Sequence, residues 1–164
     1  MKIKYFLLLT ICAFFSSCYS LKEPIITRNI DIDNYKYFLV SETGEKTGSS
    51  SAVYGNQYGV YGEGKTKSVN PADIITGTLI KNGLIKLTET SPELLDKTML
   101  VNYGESGKRT VGLWGYTLEV TIQFISAETK ELICTCTAEG IGSTEADDIR
   151  KAINRCLTTV FPAK

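Results

Sequence analysis

The sequence predicts an α+β domain: a mostly antiparallel mixed sheet of four to five strands, with two main helices packed on one face. Three observations carry this expectation. Tyr116 to Phe124 alternates apolar and polar residues with the period of a half-buried strand. After the polar turn Ala127-Glu128-Thr129-Lys130, Glu131 to Glu139 returns as a second strand with Leu132, Cys134, Cys136 and Ala138 on one face. Beyond Gly140 and Gly142 the period becomes helical. Ala146, Ile149, Ala152, Ile153, Cys156, Leu157 and Val160 form one apolar stripe, with Glu145, Asp148, Arg150, Lys151 and Arg155 off it. A hairpin followed by such a helix completes its own core, because the stripe covers the apolar sheet face.

The remaining elements follow in chain order. Residues 1–17 read as a lipoprotein signal peptide: Lys2 and Lys4 are basic, Tyr5 to Phe15 is an apolar run too short to span a bilayer, and Ser16-Ser17 precede Cys18. Cleavage before Cys18 would leave its sulfur carrying diacylglycerol and its amino group acylated, a firm membrane anchor because each buried methylene adds about 0.8 kcal/mol. Phe15 stands where leucine is commonest in such signals; the alternative is an ordinary secretory signal cleaved near Ser20. Residues 18–29, with Pro24, read as a lipidated tether, and 30–164 as a single α+β domain. Ile30, Ile32 and Tyr35 to Val40 give the first strand signal.

Ser41 to Ser68 is rich in glycine, serine and tyrosine, and a long loop or ragged edge hairpin is expected there. Its tyrosines Tyr54, Tyr58 and Tyr61, interleaved with glycines, suit an adaptable contact surface; the plainer reading is a flap resting on the sheet. Asn70-Pro71 starts a helix that Gly83 ends. Leu84 to Leu87 suits a brief strand, and Ser91-Pro92-Glu93 a single helical turn. Thr98 to Tyr103 is the next strand, followed by a polar turn over Gly104 to Arg109. Trp114, between Gly112 and Gly115, is either a lid on the core or an exposed anchor for a partner.

Composition narrows function. Without Lys2 and Lys4 the 18 acidic residues outnumber the basic ones, which argues against nucleic acid as a partner. The chain has no histidine and no Gly-x-Ser-x-Gly elbow, so nucleophilic catalysis lacks its usual parts. Asp31 with Asp33, or Asp147 with Asp148, are the carboxylate pairs available, the latter suited to the first turn of the last helix near a Ser143 or Thr144 cap. Gly59 to Thr66 matches the phosphate-loop spacing of glycine, four residues, then Gly-Lys-Thr, yet lacks the preceding buried strand and the following helix that would cradle phosphates. No nucleotide, cofactor or metal is therefore expected. Cys134, Cys136 and Cys156 read as buried thiols. Cys134 and Cys136 are poorly placed to bridge each other, and either one faces the helix that carries Cys156.

Several stretches resemble small Gram-negative envelope accessory lipoproteins of the PelC, LpoB and CsgG kind. They are Tyr35-Lys36-Tyr37-Phe38, the helix end Leu79 to Leu84, Pro92-Glu93-Leu94-Leu95 before Met99 to Tyr103, and Val120 to Ile133. Ala127 and Lys130 depart from the Asp and Gly usual in that family's turn, and Cys134 from a common aromatic. The resemblance implies a mixed sheet backed by helices, action through envelope partners or ring assembly, and no catalytic residues. The expectation is therefore a lipid-anchored accessory or binding protein of the bacterial envelope. Its address would be the outer membrane, facing the periplasm or the surface, with an envelope protein or further copies of itself as partners. A periplasmic small-ligand or glycan binder, and an enzyme of unknown type, are the alternatives. The residues expected at the contact surface are Tyr54, Tyr58, Tyr61 and Trp114.

Overall fold

The computed structural model of the chain describes residues 20–56, 59–111 and 115–162. Three long strands, β6 (Thr98–Val111), β7 (Gly115–Ser126) and β8 (Leu132–Gly140), form an antiparallel centre. β1 (Ile25–Arg28) adds antiparallel to β8, while β2 (Tyr37–Val40) and β5 (Ile85–Lys86) add in parallel beyond β6. The result is one six-stranded mixed sheet in the order β1-β8-β7-β6-β2-β5. Its two main helices are α1 (Pro71–Lys81) and α2 (Glu145–Val160).

The fold class is as expected from the sequence, with corrections that share a cause. The sheet has six strands where four to five were expected: β5 falls within the brief strand expected over Leu84 to Leu87, and β1 is the addition, too short to show a periodicity. Ile25 to Arg28 lies in the segment read as tether, yet it pairs residue by residue with Cys134 to Thr137. Gly104 to Arg109, read as a polar turn, continues β6; the register shift between Glu105 and Gly107 absorbs one residue as a bulge. Polar and glycine residues hold the strand there because β7 opposite pairs with them on both sides of the bulge.

Packing follows the alternation of β7. Leu118, Val120, Ile122 and Phe124 have no exposure and face the helices, with Phe38, Val101, Cys136 and Ala138 beside them. Each fully buried side chain of this size contributes about 1.5–3 kcal/mol. The whole expected stripe of α2, from Ala146 to Val160, is buried. Asp148 was placed off that stripe and is instead 4% exposed. The strand end explains it. A Cβ on Gly140 would collide with the Asp148 carbonyl oxygen and lie 2.8 Å from the Ala152 nitrogen, so helix and strand backbones touch there.

The caps behave as the sequence suggested. Asn70 Oδ1 accepts from the Ala72 amide at 3.1 Å, Gly83 takes φ +86°, and Thr144 Oγ1 accepts from the Asp147 amide at 3.2 Å. β3 (Lys46–Asn56) and β4 (Gly59–Val69) form a separate antiparallel ribbon. Of the expected long loop or ragged edge hairpin, the hairpin forms, but its strands pair with each other and not with the sheet edge.

Candidate interaction surfaces

Of the contact residues expected from the sequence, Tyr54 and Tyr61 lie on described strands. The Cα register sets Tyr54 directly opposite Tyr61 in the β3–β4 ribbon. Tyr58, Trp114 and Cys18 lie outside the described residues. Gly59 to Thr66 forms part of strand β4. Amides of an extended strand point alternately to opposite sides and cannot converge on a phosphate, which removes the mechanism behind that motif.

The ribbon is fastened at its base by two ion pairs. Lys46 Nζ lies 3.0 Å from Glu105, and Lys67 Nζ 2.8 Å from Asp147. Lys67, with Ser143 also donating, draws the Asp147 carboxyl down to about 2. One anchor lies midway along β6 and the other in the first turn of α2.

The chain enters the domain beside the end of β8. Glu139 is 3% exposed, although it lies on the sheet face away from the helices. Arg109 grips it bidentately, Nε at 2.7 Å and Nη2 at 2.6 Å, and the Lys22 amide donates to it at 3.1 Å. The Arg109 bonds are the main reason its carboxyl falls to about 2; desolvation opposes them and the Lys22 amide assists. Arg155 completes the clasp, donating to the carbonyls of Glu139 and Lys22, each at 2.7 Å. The chain is thus held against the sheet at Lys22. Sequence reasoning missed this cluster because its members are far apart in the chain and only the strand register unites them.

Two other features were not foreseen. The opposite edges of the sheet expose isoleucine: Ile25 on β1 is 67% exposed and Ile85 on β5 45%, with Ile80 in the last turn of α1 at 52%. The Ile25-Ile26 doublet was the available signal, hidden inside the presumed tether. The second feature is a cleft of about 910 Å³ at the end of the domain where α1 and α2 finish. Arg28, Lys36, Lys81 and Asp33 supply its charge, and Ile32 and Phe161 part of its apolar wall. Arg28 is partly committed there, donating to the carbonyls of Thr159 and Val160 at 3.2 and 2.9 Å, which caps the end of α2.

Comparison with known proteins completes the description. No family model matches the chain, and no curated protein does. Among solved structures it is similar to the PelC dodecamer from Paraburkholderia phytofirmans in two crystal forms. A single-substitution variant in space group C2 is 12% identical, with a TM-score of 0.49, over 86% of this chain and 98% of that one. The form in space group P6 is 10% identical, with a TM-score of 0.45, over 86% and 99%. Overlap so loose carries nothing about function from one chain to the other.

Proposed function

We propose that this chain is a lipid-anchored accessory protein of the bacterial envelope, without chemistry of its own, that acts by joining its sheet edges to further copies or to an envelope partner. The single observation that carries the reading is the pair of exposed isoleucine edges on one continuous sheet. β1 and β5 are opposite edges and run antiparallel to each other through the intervening ladders. A neighbouring copy in the same orientation would therefore offer β1 to β5 as an antiparallel pair. Contact between two different patches is heterologous, and it closes into a ring when the rotation per copy divides a full turn. Unpaired edges with apolar side chains are costly to leave in water, and assembly is one way to cover them.

Lipidation at Cys18 fits the same geometry. The Glu139 clasp begins at Lys22, so an acylated Cys18 would tether the molecule beside the end of β8. Tyr54, Tyr58, Tyr61 and Trp114 are the remaining proposed contact residues. The 910 Å³ cleft favours ligand binding as a second reading.

Native mass spectrometry of the detergent-extracted protein tests both parts. An intact mass with the leader removed and acyl chains added, in an oligomer that Ile25→Lys or Ile85→Lys reduces to monomer, is expected. A monomeric wild type that cross-links to no envelope protein in its own membrane would sink the assembly reading. Uncleaved, unacylated protein would sink the anchor.

A further inference from the structure

The helix stripe and the adjoining strand face bring three thiols into one core. Cys134 and Cys136 lie on the helix-facing side of β8, opposite Phe124 and Ile122 of β7, and Cys156 on the inner face of α2. Exposure is 1% at Cys134 and nil at the other two, and all three are free thiols.

Two fixed points locate Cys156 along β8. At one, Ala152 and Asp148 press against Gly140 so closely that no Cβ fits. At the other, Arg28, whose Cα partner is Cys134, holds the Val160 carbonyl at 2.9 Å. Cys156 is one helical turn from both Ala152 and Val160. It therefore falls between the Gly140 and Cys134 positions, over Cys136. The backbone contact at Gly140 draws helix and strand together next to this position, and the Cys136 and Cys156 thiols are close enough to hydrogen-bond.

We infer that Cys136 and Cys156 are a disulfide-forming pair and that Cys134 remains a thiol. The Cys136 thiol is the better nucleophile of the two. Its hydrogen bond with Cys156 lowers it, and Arg155 and Arg28 act in the same direction, whereas that bond and burial both raise Cys156. The Cys134 thiol is pushed up to about 11 by burial and has no such partner among the described residues.

The step is a thiol–disulfide exchange with an external disulfide, either a small molecule or an oxidising protein. The Cys136 thiolate attacks it and displaces one thiolate. Cys156, deprotonated in turn, attacks the mixed disulfide and displaces the other. The protein gives up two electrons and two protons, and the external disulfide leaves as two thiols. Because both sulfurs are buried once α2 has docked, exchange takes place before docking or during its opening. The bond then clamps α2 to β8 and raises the melting temperature by roughly 6–12 °C.

The test is peptide mapping of the purified full-length chain after equilibration in oxidised glutathione, with free thiols alkylated under denaturing conditions. A peptide linking Cys136 to Cys156, with Cys134 alkylated, is the expected result, and Cys134→Ala should leave the link intact. No internal link under fully oxidising conditions, or a dominant link from Cys134 to Cys156, overturns the inference. A second arm quenches cells with acid and repeats the mapping on the native envelope protein, and this arm rests on the export reading. Detection of free Cys12 and Cys18 thiols there would show an unprocessed leader and would fail export, while the glutathione arm still decides the pairing.

Discussion

Replacing Glu139 with glutamine isolates the clasp that holds the incoming chain to the sheet. Glutamine keeps the shape but loses the charge, so the bidentate grip of Arg109 at 2.6–2.7 Å becomes at best one neutral bond. Hydrogen bonds to a charged group are worth about 1.5–3 kcal/mol each, and they are not additive. Arg109 keeps 37% of its side chain in water and can rehydrate, which holds the loss near the low end, about 2–3 kcal/mol. For a domain of this size that corresponds to a fall in melting temperature of roughly 5–10 °C. The pH dependence has a definite sign. The folded Glu139 carboxyl titrates at about 2 against 4.5 ordinarily, so the folded form binds the proton less tightly. Its stabilisation is complete above about pH 4.5 and drains away as the pH falls toward 2. Thermal melts of wild type and Glu139→Gln should therefore be well separated at pH 7 and converge near pH 2. Tryptic cleavage after Lys22 should be faster in the variant at pH 7. Equal melting temperatures with parallel pH profiles would refute the clasp.

Further outcomes follow from the α2 contact. Gly140→Ala drives a methyl into the Asp148 carbonyl and should cost about 3 kcal/mol, read as a lower urea midpoint with an unchanged slope. Asp148 is buried with Oδ1 unpartnered, and burial raises its carboxyl above the ordinary 3.8. The folded form then holds the proton more tightly, so the contribution of Asp148 to stability is fullest below pH 3.8 and is lost as the pH rises through the higher folded value. Asp148→Asn should gain about 1 kcal/mol at pH 7, and the gain should vanish near pH 3.5 in the same urea titration. Asp147, drawn down to about 2 chiefly by Lys67, behaves oppositely: Lys67→Met should destabilise at pH 7 and do progressively less as the pH falls toward 2.

Elements with a long, clean period were legible before any coordinates. β7, β8 and α2 bury their own apolar residues, so alternation and stripe report burial directly, and the caps at Asn70 and Thr144 are local chemistry. The misreadings fall where stability comes from a distant partner. Ile25 to Arg28 is a strand because β8 lies beside it, and Gly104 to Arg109 because β7 does. Asp148 is buried because Gly140 lets the helix settle onto the strand. The same limit governs the candidate surfaces. Tyrosine and glycine spacing drew attention to the ribbon, while the Glu139–Arg109–Lys22 clasp and the isoleucine edges depend on register.

The sequence by itself determined the α+β class, the two helices with their ends, the central hairpin, and the lack of a histidine-based site. Those properties rest on neighbours within a few positions and on composition. Only the tertiary structure decided which edges stay open, where the chain is clasped before it enters the sheet, and which cysteine meets Cys156. Each depends on which residues of separate strands and helices come level, and strand pairing and helix seating set that over separations of up to more than a hundred residues.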